Sequence, residues 1–167
     1  FFYIGLGVSN YRILDENSAF VIGFSCYHLN KPKQSLTSDK EVFLRPKYIM
    51  HATYYTKLNL KIKVSPAVYF SSQSKEKEFV LGTGATYLLD DKVQLISGIY
   101  RRLEDAFFIT LGMNKENLEA IISYDINTST LANASGFMGG FEFSISYGWS
   151  LFKDKKEKKQ EICPKYL

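Results

Sequence analysis

From Phe141 to Leu151 the chain alternates without a break. Every odd position is a large apolar or aromatic residue, and every even position is Glu, Ser or Gly. A strand sends successive side chains to opposite faces, so this segment has one apolar side and one small, polar side. In a soluble sheet the apolar side packs on a core. In an outer-membrane barrel it meets lipid, and the small polar side lines the lumen. What the protein does depends on which environment the apolar side has.

The same alternation recurs upstream. Phe2–Val8, Ala19–Tyr27, Tyr48–Thr56, Leu60–Ser71, Phe79–Leu89, Val93–Arg101, Ala106–Met113, Leu118–Ile126 and Phe141–Leu151 read as roughly nine strands of the length of barrel staves. No segment carries a sustained helical period. Pro66 alone among the four prolines falls inside a strand, where it predicts a bulge or an amide without a ladder partner. Gly5, Gly7, Gly23, Gly82, Gly84, Gly98, Gly112 and Gly148 recur on strand faces. They would weaken a soluble sandwich but suit the curvature and close lumen packing of a barrel.

The connections alternate too. Those around Leu58, around Asp90-Asp91 and at Asn114–Asn117 are tight, with Tyr11–Asn17 as the first of that set. The intervening ones include two long connections, Asn30–Lys47 and Asn127–Met138, and the charged Ser72–Glu78; Arg102–Asp105 is the short exception. Short periplasmic turns and longer external loops are the habit of bacterial outer-membrane barrels. Such barrels use an even number of strands, so an odd count and a start inside a strand predict the C-terminal portion of a larger barrel. The expected fold is therefore all-β, a transmembrane antiparallel up-and-down β-barrel over residues 1–152. Residues 153–167 would form a basic periplasmic tail.

Composition excludes more than it identifies. Tyr (12) and Phe (13) dominate an aromatic content of 16%, and mean hydropathy is −0.14. No run approaches the ~18–20 apolar residues of a membrane helix, which leaves strand-built spans open. Net charge is +4, yet six of the 21 basic residues lie between Lys153 and Lys165. Without a basic face on the body, no nucleic-acid partner is expected. Cys26 and Cys163 have no metal-ligand spacing around them, and a disulfide between them would need an oxidising compartment. The first residues carry no charged region ahead of an apolar core, so they do not read as a signal peptide.

Several ordered motifs resemble one family. They are His28-Leu29-Asn30-Lys31-Pro32; Leu60 through Ser65-Pro66-Ala67; Gly98-Ile99-Tyr100-Arg101 followed by Asp105-Ala106; and Ser123-Tyr124-Asp125. Gly139-Gly140-Phe141-Glu142 and the terminal Cys163-Pro164-Lys165-Tyr166 complete the set. Together they resemble the PorP/SprF family, outer-membrane proteins of the type IX secretion and gliding apparatus of Bacteroidota. Lys165 and Tyr166-Leu167 depart from the family's Arg and terminal Phe, and the family's N-terminal half is missing. The resemblance implies a non-enzymatic component that anchors or delivers secreted surface proteins, such as gliding adhesins with type B C-terminal domains. It also implies periplasmic and lipoprotein partners in the secretion ring.

No catalytic constellation, cofactor site or metal site is apparent. His28 and His51 sit at strand ends, and His28 with Cys26 is a same-face neighbour, not an activated thiol. Asp90-Asp91 is a turn former. Glu119, Asp125 and Glu142 are expected in the lumen, paired with Arg101, Arg102 or lysine. Phe141, Phe143, Ile145, Tyr147 and Trp149 are the candidate lipid-facing residues of the last strand, with Tyr147, Trp149 and Phe152 as an interfacial girdle. In a soluble sandwich the same residues would be core.

The lysine run from Lys153 to Lys159 is an ordinary solvated charge run. It ends, however, in Ile162, Cys163, Pro164, Lys165 and Tyr166, a small apolar and aromatic anchor with a rigid X-Pro step. That ending predicts docking to a periplasmic partner. Two rivals remain: a passive outer-membrane pore or small-molecule transporter, and a soluble ligand-binding β-barrel.

Overall fold

The computed structural model describes residues 2–33, 43–128 and 139–149. Among the described residues nine strands form one antiparallel meander: β1 (Leu6–Ile13), β2 (Ser18–Tyr27), β3 (Lys47–Lys57), β4 (Ile62–Gln73), β5 (Glu76–Leu88), β6 (Val93–Arg102), β7 (Ala106–Lys115), β8 (Leu118–Asn127) and β9 (Phe141–Tyr147). Each pairs only with its neighbours in sequence, and among the described residues no ladder joins β1 to β9. The described sheet is an open, partial barrel with β1 and β9 at its edges.

Eight of the expected strands stand within three residues of their expected start. β1 is displaced, from Phe2–Val8 to Leu6–Ile13, because it follows β2 down to Ile13↔Ala19. Its outward positions there are Asn10 and Arg12, which broke the apolar pattern. The last strand closes at Tyr147, short of Leu151. The connection expected as Ser72–Glu78 shrinks to the pair Ser74-Lys75, because Ser71, Ser72 and Gln73 pair with Glu78, Lys77 and Glu76. Only the β2–β3 and β8–β9 connections are long. Pro66 makes no bulge: the β3–β4 register is the same on either side of it, and ladder pairing lapses only between Thr53↔Ala67 and Thr56↔Val64.

Three turns at the opposite end are built alike. The amides of Leu14, Leu58 and Leu89 donate to the carbonyls of Ser18, Ile62 and Val93 at 2.9–3.0 Å. The residue after each leucine is Asp15, Asn59 or Asp90, whose Oδ1 accepts the amide two residues on. Asp90 is thus a turn residue, with Lys92 and Val93 amides at 2.8 and 2.9 Å. The fourth turn at this end, Glu116-Asn117, is tied to the third by Lys92 Nζ, 2.8 Å from Glu116 Oε1.

That hydrogen bond, and then the charge of Lys92, hold the Glu116 carboxyl below its ordinary 4.5. A lowered folded value means the contribution is complete above the unfolded value and fades as pH falls through the folded one. Titration of Glu116 followed by NMR should give a midpoint below 4.5. Lys92→Met should raise it, and an unchanged midpoint would contradict the pairing.

Candidate functional site

The register sorts every strand residue onto one of two faces. One lateral row runs Asn10, Ile22, Ala52, Val68, Leu81, Arg101, Phe107, Ile126, and the next runs Arg12, Phe20, Thr83, Ile99, Ile109, Tyr124, Phe141 on their own strands. These rows belong to the outer face, which is apolar over most of its area. The residues between them form the inner face. Val21, Ser71, Val80, Ala106, Phe108 and Thr110 lie there, and all are buried although no second layer covers them among the described residues. Apart from Ser18 and Cys26, near the two ends of β2 on the outer face, the buried strand residues all lie on this side, so it is the concave one.

Charge is segregated in the same way. The five strand carboxylates, Glu76, Glu78, Glu119, Asp125 and Glu142, are all on the inner face. Outward charges are cationic and sit at strand ends: Arg12, Lys77, Arg101 and Lys115.

The strand glycines are sorted too. Gly7, Gly23, Gly82, Gly84, Gly98 and Gly112 all face inward, by the register. Two aromatic rings explain several of them. The Tyr100 ring lies over Gly82, Gly84 and Gly98: a Cβ on Gly98 would stand 2.6 Å from Tyr100 Cε2, and one on Gly84 3.3 Å from its hydroxyl. A Cβ on Gly23 would meet the imidazole of His51, with Nε2 at 2.6 Å. Tyr100 also stacks on Phe108 at 5.0 Å between centroids. The concave side is lined by rings lying flat over glycine strips on neighbouring strands, which side chains there would push away from the wall.

The polar part of the inner face gathers near the end where the long connections emerge. A cavity of about 390 Å³ lies among Lys47, His51, Tyr55, Glu78, Arg102, Asp125 and Glu142. Arg102 is its hub. Its Nε is 2.8 Å from Glu78 Oε1, and its Nη1 is 3.0 Å from Asp105 Oδ2 and 4.0 Å from Asp125 Oδ2. Only the Asp105 contact is also a hydrogen bond, because the Nε–H does not point along the line to Glu78. The guanidinium therefore links β5, the β6–β7 turn and β8 chiefly by charge.

Asp125 and Glu142 meet Arg102 in the cavity. Glu119 faces inward at the opposite end, where Asn114 Nδ2 donates to its Oε2 at 3.4 Å. The three carboxylates therefore share a face but not a site. Arg101 points outward, with its guanidinium 5.1 Å from the Phe107 ring centroid, and cannot join them. Glu78 and Asp105 complete the network and were not foreseen from the sequence. Counting two residues at a time from Gly98 would have put Tyr100 and Arg102 inside and Ile99 and Arg101 outside.

His28 lies beyond β2 with a left-handed φ of 58°, edge-on to Tyr3 at 5.6 Å. His51 packs on Gly23 on the inner wall, so the two histidines belong to different places. Among the described residues no group of His, Cys, Asp and Glu is arranged to hold a metal ion.

On the last strand, Phe141, Phe143, Ile145 and Tyr147 are 60–79% exposed on the outer face. They continue the rows of Tyr124, Ile122, Ala120 and Leu118. Trp149, just past the strand, stacks on Tyr147 at 6.3 Å. Phe152 and the tail residues Ile162, Cys163, Pro164, Lys165 and Tyr166 lie outside the described residues, as does the 152/153 boundary.

Residues 2–147 match the family model described as type IX secretion system membrane protein PorP/SprF. No curated protein and no solved structure matches the chain.

Proposed function

The chain belongs to the PorP/SprF family of type IX secretion system membrane proteins, and on that premise we propose that it is a non-enzymatic outer-membrane barrel that anchors or delivers secreted surface proteins. The observation that carries this reading is the two-faced sheet. One side is exposed and apolar, with charges only near strand ends; the other is concave and holds every strand carboxylate. Lipid outside and water inside account for that division. A soluble ligand-binding barrel would put its apolar face inward, so the segregation of charge disfavours it.

In this reading Phe141, Phe143, Ile145 and Tyr147 face lipid, and Tyr147 with Trp149 lies at the membrane interface. The long β2–β3 and β8–β9 connections leave the same end of the sheet, opposite the three Leu-Asx turns. They would meet the secreted cargo, while the turns and the tail face the periplasm. The tail residues Ile162, Cys163, Pro164, Lys165 and Tyr166 dock onto periplasmic or lipoprotein components of the apparatus.

Deleting residues 161–167 from the full-length protein is expected to leave the barrel inserted, with native heat-modifiable migration, but to reduce co-purification of periplasmic partners several-fold. Undiminished co-purification would sink the docking role. Single-channel recording separates the pore reading: steady, large conductance in a planar bilayer would favour a passive channel over an anchor.

A further inference from the structure

The outer face is not evenly filled. A shallow groove of about 740 Å³ crosses it from β2 to β7. Short side chains, Ala52, Pro66 and Thr83, leave it open, and Phe20, Tyr54 and Ile99 stand along it. Its lining is apolar apart from threonine and tyrosine hydroxyls, with one exception: Arg101.

The position of that exception follows from the register. The row Ala52, Val68, Leu81, Arg101 runs across four neighbouring strands. Ala52, Val68 and Leu81 are in the middle parts of β3, β4 and β5, whereas Arg101 is one residue from the end of β6. Strands in a barrel are tilted, so a row perpendicular to them climbs along the barrel axis. The groove thus starts at mid-strand depth and ends at the rim. There the Arg101 guanidinium rests on Phe107, and the strand carboxylates that could neutralise it are on the opposite face.

We propose that this groove binds an anionic, phosphate-bearing membrane lipid, with an acyl chain along Ala52 and Pro66 and the headgroup phosphate on Arg101. The inference rests on the lipid-facing assignment of the outer face made above. An acyl chain needs an apolar trough that reaches into the bilayer, and the mid-strand part supplies one. A phosphate needs a planar donor fork at headgroup depth, and a guanidinium held against a ring supplies that. A peptide strand is a poorer fit, because the strands under the groove are paired on both edges and offer no free ladder.

The test uses the full-length protein in nanodiscs of phosphatidylcholine containing a minor fraction of phosphatidylglycerol. Lipids retained after gentle detergent transfer are counted by native mass spectrometry. Wild type should retain phosphatidylglycerol several-fold above its share of the nanodisc. Arg101→Gln should bring retention down to that share, and so should Ala52→Phe, which fills the trough from another strand. Lys115→Gln, an outward cation at the other end of the sheet, should change nothing. Equal enrichment in wild type and Arg101→Gln would overturn the proposal. A nitroxide at Leu111, outward but away from the groove, separates the two readings. If it is shielded from lipid, the lipid-facing assignment falls and the inference with it. If it is lipid-exposed while Arg101→Gln retains the lipid, only the inference falls.

Discussion

Replacing Ile122 by arginine is expected to destabilise the membrane-inserted protein by about 2–4 kcal/mol, the cost of a cation at bilayer mid-depth on the lipid face of a barrel. Ile122 is near the middle of β8, half exposed, and its lateral neighbours Leu111 and Phe143 are equally apolar and outward. The next residue is the control. Ser123 faces inward and lines the cavity that holds Asp125 and Glu142. Arginine there gains carboxylate neighbours and water, and a change within about 0.5 kcal/mol is expected. Reversible unfolding in urea from lipid vesicles would measure both. Equal costs at 122 and 123 would contradict the division of the sheet into a lipid side and a water side. Folding of the wild type without any amphiphile would point to a soluble barrel instead.

Gly82→Ala is expected to cost about 1–3 kcal/mol, as overpacking does when the surroundings cannot yield. The added methyl would collide with the carbonyl oxygen of Ile99 and stand 2.7 Å from Tyr100 Cα. Both are backbone atoms of the neighbouring strand β6, so relief requires the two strands to move apart. Gly140 offers the contrast: a Cβ there meets nothing within 4 Å, and Gly140→Ala should fall within about 0.5 kcal/mol of wild type. The measurement is the same unfolding midpoint. A Gly82→Ala variant as stable as Gly140→Ala would show that the Tyr100 ring and the β5–β6 contact are looser than described.

The strands were legible because the two sides of the sheet differ in polarity, and the period of two that this imposes survives in the residue order. Where the apolar pattern of the outer side lapses, as at Asn10 and Arg12, residue order ends β1 too early, at Val8 instead of Ile13. Ser72 to Glu78 looked like a loop because it is charged and polar. Its charges alternate, however, with Glu76 and Glu78 inward and Lys77 outward, and a two-residue turn closes the hairpin. Residue order does not separate a bulge from a gap at Pro66, because proline lacks the N–H in either case; only the unchanged register on both sides decides it.

Residue order alone specifies the all-β meander, the two-faced strands and the family. Each is a property of local order: alternation, turn residues such as Asp90, and motifs read along one chain. Tertiary structure alone decided which face is concave, and therefore that Tyr100 covers three glycines while Arg102, not Arg101, gathers Glu78, Asp105 and Asp125. Those contacts join residues on different strands, and the curvature that brings them together is a collective property of the sheet. No single strand encodes it.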